Sequence, residues 1–377
     1  MPARRILHLH STFDLGGKEA RAVRLMNAFG SDFAHDIVTA VPGAAAAMDA
    51  VEPGIDARLL TDFPALAGKP APARLKRLAR AIDGGGYDLA LSYNFGAMDA
   101  VLARRLFGRT PLIHHEDGFN EDERDRQKPA RVLYRRLALP AVEKLVVPSQ
   151  VLEGLALGQW RQPRARVQRI SNGIDTSRFA APPAASAIPG HTPRAGEVVV
   201  GTLAGLRKIK NLPRLVDAFA VAARLVDVPA RLIIVGEGPE KAAIMTRAET
   251  AGVADRLIMP GFLADPSRYV GLFDIFALSS DSEQFPISLV EAMAAGLPAA
   301  STRVGDIEAI VAKENRPLLA RTADAEALGR NLARLIGDAA LRRAVGAANL
   351  AKVKAEYDEG VMISAYRQLY EAAMARQ

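Results

Sequence analysis

Residues 275–301 read IFALSSDSEQFPISLVEAMAAGLPAAS. Two short apolar runs, 275–278 and 298–301, have the length and composition of buried strands. Between them Ser288-Leu-Val-Glu-Ala-Met-Ala-Ala is helical by propensity and apolar on every side, so a buried helix is expected. Strand, helix and strand in succession are the repeating unit of a parallel sheet. Glu291 sits inside that helix, among Leu289, Val290, Ala292 and Met293. A carboxylate there is costly unless it has a partner. Glu283 lies in the loop that enters the helix. A helix N-terminus with a carboxylate on either side suits a phosphorylated sugar, with amides for phosphate and carboxylates for hydroxyls.

The same alternation extends in both directions. Strands are expected at 4–9, 36–41, 87–92, 111–114 and 144–147, then at 198–203, 231–235, 257–259, 275–278 and 298–301. Helical patterns fill the gaps, for example 18–29 and 213–226. This predicts an α/β protein of two Rossmann-like, doubly wound parallel-sheet domains. The stretch 180–196, AAPPAASAIPGHTPRAG, is rich in Pro, Ala and Gly and reads as a linker. The expected division is a domain over 1–180, a linker over 181–196, a domain over 197–354 and a helical tail over 355–377 that packs back on the first domain. Ligands of open sheets bind beyond the carboxyl ends of the strands, so two facing domains imply a site in a cleft.

A chain of 377 residues is long enough for two cores. No apolar run reaches the roughly 18 residues of a membrane span. The N-terminus passes directly into a strand, and no signal peptide is expected. There are no cysteines, which removes disulfides and Cys-based zinc sites and fits a cytoplasmic location. The net charge of +7 is uneven: residues 1–180 hold 26 Lys/Arg against 20 Asp/Glu, the remainder 23 against 22. Around Arg131, Arg135 and Arg136, cations alternate with large apolar residues, as in a helix lying on a membrane surface or in a solvated face over buried Leu. Nucleic acid is disfavoured, because no binding motif or aromatic interleaving accompanies the charge.

Several smaller patterns carry chemistry. Gly16-Gly17 follows the first strand and opens the first helix, where backbone amides can turn toward an anion or simply form a turn. Ala204-Gly-Leu-Arg-Lys-Ile-Lys-Asn-Leu-Pro follows strand 198–203. Asn211 is the expected N-cap there, with Pro213 in the first turn. Arg207, Lys208 and Lys210 then crowd a helix N-terminus, against the helix dipole, and an anion such as a diphosphate would relieve them. Gly236-Glu-Gly-Pro starts like a dinucleotide fingerprint, but Lys241 stands at its third glycine position, so a tight turn is expected. His114-His115-Glu116-Asp117-Gly118 ends another strand. Adjacent side chains on an extended chain alternate, which puts His114 with Glu116 and His115 with Asp117. That favours acid/base or hydrogen-bonding roles over a metal cage. The acidic run 121–125 reads as a solvated loop.

Taken together, these residues resemble the GT-B glycosyltransferases of family GT4, retaining enzymes that use nucleotide-activated sugars. The matching pieces are Gly16-Gly17, the segment 170–179 (ISNGIDTSRF), Gly201 to Asn211, Val235-Gly-Glu-Gly-Pro, Pro260-Gly-Phe-Leu, and Glu283 with Glu291-Ala-Met-Ala-Ala-Gly-Leu-Pro. The resemblance spans nearly the whole chain and is strongest over 198–310. It implies a GT-B fold and roles for particular residues. Glu283 would hold donor-sugar hydroxyls, and Glu291 the ribose diol. Lys210 would stabilise the diphosphate leaving group, helped by Gly16 and Gly17. The backbone at Phe262-Leu263 would meet the nucleobase. Phe285 and the amides of Ile287 and Ser288 would complete the donor site. No metal or other cofactor is implied, and no D-x-D motif is present to hold one.

Three departures stand out. The family's usual Arg is Gly205 here, so Arg207 or Lys208 would supply that charge. Gln284 and Pro286 replace common glycines, and Pro286 removes an amide. In the family pattern H-x-E-H-G the second His is Asp117, leaving Asp117 or His114 to orient the acceptor. The expected activity is transfer of a hexose from a nucleotide donor, UDP-linked, to a lipid or lipid-linked glycan. It would take place at the inner face of a membrane whose anionic surface the basic N-terminal domain touches. A nucleotide-sugar epimerase, separable by product analysis without acceptor, and a non-catalytic GT-B scaffold or partner subunit are the alternatives.

Overall fold

The computed structural model describes residues 3–14, 16–118, 127–321 and 323–375; the acidic run at 121–125 lies outside them. The chain divides into two compact units, Met1–Ser171 with Met362–Gln377, and Asn172–Val361.

The first unit holds a seven-stranded, all-parallel sheet: β1 (Arg4–His10), β2 (Phe33–Thr39), β3 (Ala57–Leu59), β4 (Leu89–Tyr93), β5 (Leu112–His115), β6 (Lys144–Val147) and β7 (Val167–Arg169), in the order β3-β2-β1-β4-β5-β6-β7. Its helices are α1 (Gly17–Phe29), α2 (Pro72–Gly84), α3 (Met98–Phe107), α4 (Pro129–Ala138) and α5 (Gln150–Gly158). Proline opens α2 and α4, where its missing N–H costs nothing. Ser149 caps α5 by accepting from Leu152 N at 3.1 Å. The central strands β4 and β5 are buried along their whole length, as parallel strands covered by helices must be.

The second unit has a six-stranded parallel sheet: β8 (Val198–Leu203), β9 (Ala230–Val235), β10 (Leu257–Gly261), β11 (Ile275–Leu278), β12 (Ala299–Thr302) and β13 (Leu319–Ala320), in the order β10-β9-β8-β11-β12-β13. It carries α6 (Leu212–Leu225), α7 (Lys241–Thr250), α8 (Ile287–Ala294), α9 (Ile307–Ile310), α10 (Ala325–Gly337) and α11 (Ala339–Glu356). Asp324 and Asp338 cap α10 and α11, each accepting from an amide at 2.8 Å. The segment 180–196 lies within this unit, where Ile188 joins the apolar core and Gly271 packs on Pro183.

The tail, read as one helical pattern from 355, is broken. After α11, Ile174 pairs with Asp358 as a short parallel bridge, and α12 (Glu359–Met374) follows. Met362, Tyr366, Leu369, Tyr370 and Met374 complete the core of the first unit around Ile6, Met26 and Ile113. No helix among the described residues is long and apolar enough to cross a membrane.

The helix α4 departs from the expected membrane-surface pattern. Arg135 is fully buried and donates to Glu116 at 3.0 Å, with its guanidinium over Trp160 and Phe95. Arg131 lies over Phe95, one helical turn before it on the same side. The outward stripe is Leu133 and Leu137. Burial raises a carboxyl pKa, yet Glu116 is held below the usual carboxylate range by its bonds to His114 and Arg135. Glu116 is therefore held as a carboxylate in the interior. Arg135→Met leaves Glu116 charged and buried without its main partner. The expected cost is about 3–5 kcal/mol, read as a lower urea midpoint. A loss under about 1 kcal/mol would mean that Glu116 is not charged in the folded state.

Candidate functional site

In the second sheet the winding direction reverses between β8 and β11, which opens a crevice at their carboxyl ends. The loop after β8 carries Lys210 and the loop after β11 carries Glu283. Lys210 Nζ donates to Glu283 Oε1 at 2.6 Å, and Ser280 Oγ donates to the same oxygen at 2.6 Å. The two loops are tied together. Ser279 Oγ donates to Lys210 O at 3.0 Å, Asp281 N to Ile209 O at 2.9 Å and Thr302 Oγ1 to Ser280 O at 2.8 Å. The Gly305 backbone closes directly over Glu283, since a Cβ at 305 would fall 1.7 Å from Glu283 O.

Asn211 stands at the N-cap position of α6, as expected, but its side chain makes no capping bond. It adopts a left-handed conformation (φ 44°), and its amide points to Asp281, 3.3 Å away. Asparagine tolerates this conformation, which turns the chain from the short 3-10 turn at 208–210 into α6. Pro213 does lie in the first turn. Of the crowded cations, Lys210 is balanced by the protein's own Glu283, and in the first turn of α6 Asp281 balances Arg214 at 2.6 Å. Arg207 is exposed and folds over Gly205, its Nε 3.5 Å from where a Cβ at 205 would stand.

A pocket of about 400 Å³ opens beside these loops, walled by Gly205, Gly236, Phe262, Leu263, Tyr269 and Glu291. The turn at Gly236-Glu-Gly-Pro is tight, as expected. Gly236 (φ 139°) and Gly238 (φ 152°) touch the backbone after β8, where a Cβ would fall 1.9 Å from Ala204 O and 2.5 Å from Leu206 O. The turn thereby fixes the floor of the pocket, with Leu206 N donating to Glu237 O at 2.8 Å.

The expected all-round burial of α8 is corrected. Leu289, Val290, Ala292 and Met293 are buried, but Ile287, Ser288 and Glu291 form an open stripe at i, i+1 and i+4. Glu291 reaches the pocket along that stripe. The buried Tyr269 phenol, which lines the same pocket as Glu291, is pushed above its usual range by burial and then by the Glu291 and Asp265 charges. The Tyr269 hydroxyl donates to Leu263 O at 3.3 Å. Phe262 stands 70% exposed at the rim. Phe285 turns away, its ring edge-on to Tyr357 with centroids 5.6 Å apart. The N-terminus of α8 has no side-chain cap and no acidic residue in its first turn.

In the first sheet the reversal lies between β1 and β4. Gly16 and Gly17 follow β1, and Gly17 begins α1. Glu19 folds back on this turn, since a Cβ on Gly16 would lie 2.6 Å from Glu19 Oε2; Lys18 pairs with Glu19. One turn later Arg21 grips Asp117 with both terminal nitrogens, the second at 2.8 Å. Asp117 N donates to Asn94 Oδ1 at 2.7 Å, and Asn94, which follows β4, is itself left-handed (φ 54°). Asp117 thus sits beside α1 and is partly open, whereas His114 lies fully buried beneath it. The His114 nitrogens meet Ser92 Oγ at 2.8 Å and Glu116 Oε2 at 3.3 Å. The expected alternation holds: His115 points the other way, stacked on Tyr93 and 3.2 Å from the Tyr370 hydroxyl. Among the described residues no three His, Asp or Glu side chains converge to hold a metal ion.

Arg21, Asn94, Glu19 and Ser280 are site residues that sequence reasoning missed. Glu19 was findable, because Gly16-x-x-Glu19 has the spacing of a capping box. Arg21 and Asn94 were not, because nothing near them in the chain signals Asp117.

Comparisons with known proteins agree with this architecture. Residues 15–178 match the family described as Glycosyltransferase Family 4, and residues 187–351 the family described as Glycosyl transferases group 1. N-acetyl-alpha-D-glucosaminyl L-malate synthase of Bacillus anthracis is 28% identical over 174 residues, 46% of this chain and 45% of that protein. A GDP-mannose-dependent alpha-(1-6)-phosphatidylinositol monomannoside mannosyltransferase of Mycobacterium tuberculosis is 31% identical over 206 residues, 52% and 53% of the two chains. The chain thus spans about half the length of these curated relatives. In fold it is similar to Anabaena Alr3699/HepE, solved in complex with UDP: TM-score 0.80, 19% identity, 98% of this chain and 100% of that one.

Proposed function

This chain belongs to the GT4 family of GT-B glycosyltransferases, and from that premise we propose that it moves a hexose from a UDP-linked donor to a lipid or lipid-linked glycan, with retention at the anomeric carbon. The observation that carries the reading is the pairing of Lys210 with Glu283 at the β8/β11 crevice, beside a pocket that ends on Glu291. UDP accompanies the Anabaena neighbour, which favours uridine, while the Mycobacterium relative uses GDP-mannose and makes guanosine the outcome to exclude.

In this reading the nucleoside enters the pocket. The backbone at Phe262-Leu263 meets the base, and Glu291 accepts from both ribose hydroxyls. The diphosphate lies toward Lys210 and Arg207, with the amides of Ile287 and Ser288 as further donors to phosphate or sugar. Arg207, folded over Gly205, takes the place of the missing family Arg. Glu283, held by Lys210 and Ser280, positions the sugar hydroxyls. The acceptor oxygen attacks the anomeric carbon from the face that the diphosphate leaves. The C–O bond to phosphate breaks as the new C–O bond forms, and the acceptor proton passes to the departing phosphate oxygen. Asp117 orients the acceptor as a hydrogen-bond partner, with Arg21 holding its charge and His114 beneath it as a positioning residue. Fixed cations and amides stabilise the charge that develops on the leaving group, so the reaction is proposed to proceed without a divalent metal.

The test is calorimetric titration of UDP and GDP, with and without EDTA, into wild type and Glu291→Ala. Micromolar UDP binding that survives EDTA is expected. Losing a charge-assisted contact to the ribose should weaken it by about 10- to 100-fold in the variant. Tighter binding of GDP, or equal binding by the variant, would overturn the uridine donor or the role of Glu291 respectively.

A further inference from the structure

The helix α4 is inside out. Its cations Arg131 and Arg135 turn inward onto Phe95 and Trp160, while Leu133 and Leu137, one turn apart, stand 56% and 49% exposed. A helix that packs on a sheet normally buries its leucines and exposes its arginines. The neighbouring α3 ends in Leu106 and Phe107, 53% and 42% exposed. Arg105 donates to Leu137 O, which brings the two helix ends together. Four large apolar side chains thus gather on one edge of the first unit; among the described residues the other large hydrophobics exposed there are Val41 and Val151.

Among the described residues, the charge on the helices of this edge is one-sided. α2 carries four Lys/Arg to one Asp, α3 two to one and α4 three to none. Both acids are turned to internal work: Asp83 accepts from the amides of Arg109 and Thr110, and Asp99 is held by Arg74 and Tyr134. Arg105, Arg109 and Lys128 lie exposed on or beside the apolar edge. Apolar side chains ringed by cations, with their carboxylates withdrawn, match an anionic lipid surface in chemistry and sign.

We propose that the α3–α4 edge docks on a bilayer rich in anionic phospholipid, with Leu133, Leu137, Leu106 and Phe107 entering the headgroup region and Arg105, Arg109 and Lys128 meeting phosphates. This deepens the lipid-acceptor reading above and replaces Arg135, which serves the interior, as the expected surface contact.

The experiment is co-sedimentation of the full chain with phosphatidylcholine vesicles, with and without phosphatidylglycerol at about one lipid in three. No donor or acceptor is present, so its outcome is independent of whether transfer occurs. Wild type is expected to bind only the anionic vesicles and to be released by high salt. Leu133→Asp/Leu137→Asp should bind them at least about tenfold more weakly, with UDP titration and melting temperature unchanged. Leu133→Gln/Leu137→Gln and Arg109→Glu provide the same readout should the first variant melt early. Failure of wild type to bind, or equal binding by the leucine variants, would overturn the proposal. So would a dimer of wild type that these variants dissociate in the absence of vesicle binding, since the edge would then join two copies of the chain.

Discussion

Replacing Lys210 with Ala is expected to lower kcat by about 10²–10³-fold, the effect of removing one fixed charge-stabilising group from a leaving-group site. The ammonium is held at the point where it would act. Lys210 follows β8, Glu283 follows β11, and the two meet at 2.6 Å across the point where strand order reverses. Glu283 and the ties between the two loops keep the cation in place before any substrate arrives. A charge already oriented costs little reorganisation when negative charge develops on the diphosphate. Because the interaction strengthens as the bond breaks, kcat should fall more than affinity for UDP. Glu283 also loses its cation in this variant, so Lys210→Arg is the companion measurement. It should recover part of kcat if positive charge is what matters. A Lys210→Ala enzyme within about threefold of wild-type kcat would remove Lys210 from the mechanism.

The second large effect is acid lability of the first unit. His8, His10 and His115 are buried, and their pKa values are held well below 6.5, first by burial and then by a neighbouring group: the Lys18 charge for His10, the Arg21 charge for His115, and for His8 the adjoining His35 ring, with which it would share a buried charge. His35 is lowered to about 4, again by burial, although Asp56 and Asp36 pull the other way. An unfolded chain protonates its histidines near 6.5. Below that pH the unfolded state binds more protons than the folded one, so stability falls as pH falls. Each such histidine removes up to about 1.4 kcal/mol per pH unit until its own folded pKa is reached. Four together remove on the order of 5 kcal/mol per pH unit between about 6 and 4, comparable to the whole stability of a domain. Trp160 is the only tryptophan and lies buried in this unit, so its fluorescence reports the transition. The second unit holds only His191 and should keep its structure to lower pH. Urea midpoints from Trp160 that stay level between pH 7.5 and 5.5 would show that these rings are protonated inside the folded unit.

The alternation of strands and helices was readable because parallel strands are buried on both faces and appear as short apolar runs. The strands that went unread are β3, β7 and β13, of three, three and two residues. Each lies at the edge of its sheet. An edge strand has one neighbour and needs few apolar residues, so Ala57–Leu59 and Val167–Arg169 leave little periodic signal. The candidate site was legible where its chemistry is local, as with Glu283, Glu291, Lys210 and the Gly236 turn. It was illegible where a residue's meaning depends on a distant partner. Arg131 and Arg135 look like surface cations until Phe95, Glu116 and Trp160 are in place. The N-cap position of Asn211 was readable, but not where its side chain goes, because Asp281, which it meets, is far along the chain.

The helix α12 finishes the core of the first unit, yet the chain makes it only after the whole of the second unit. His115 waits for Tyr370 across 255 residues. During synthesis the sheet of the first unit must therefore stand with the seats of Tyr366, Leu369 and Tyr370 empty, while the second unit emerges and can close on itself. The order in which the two units mature is thereby reversed from the order in which they begin: the part made first is the last to be sealed.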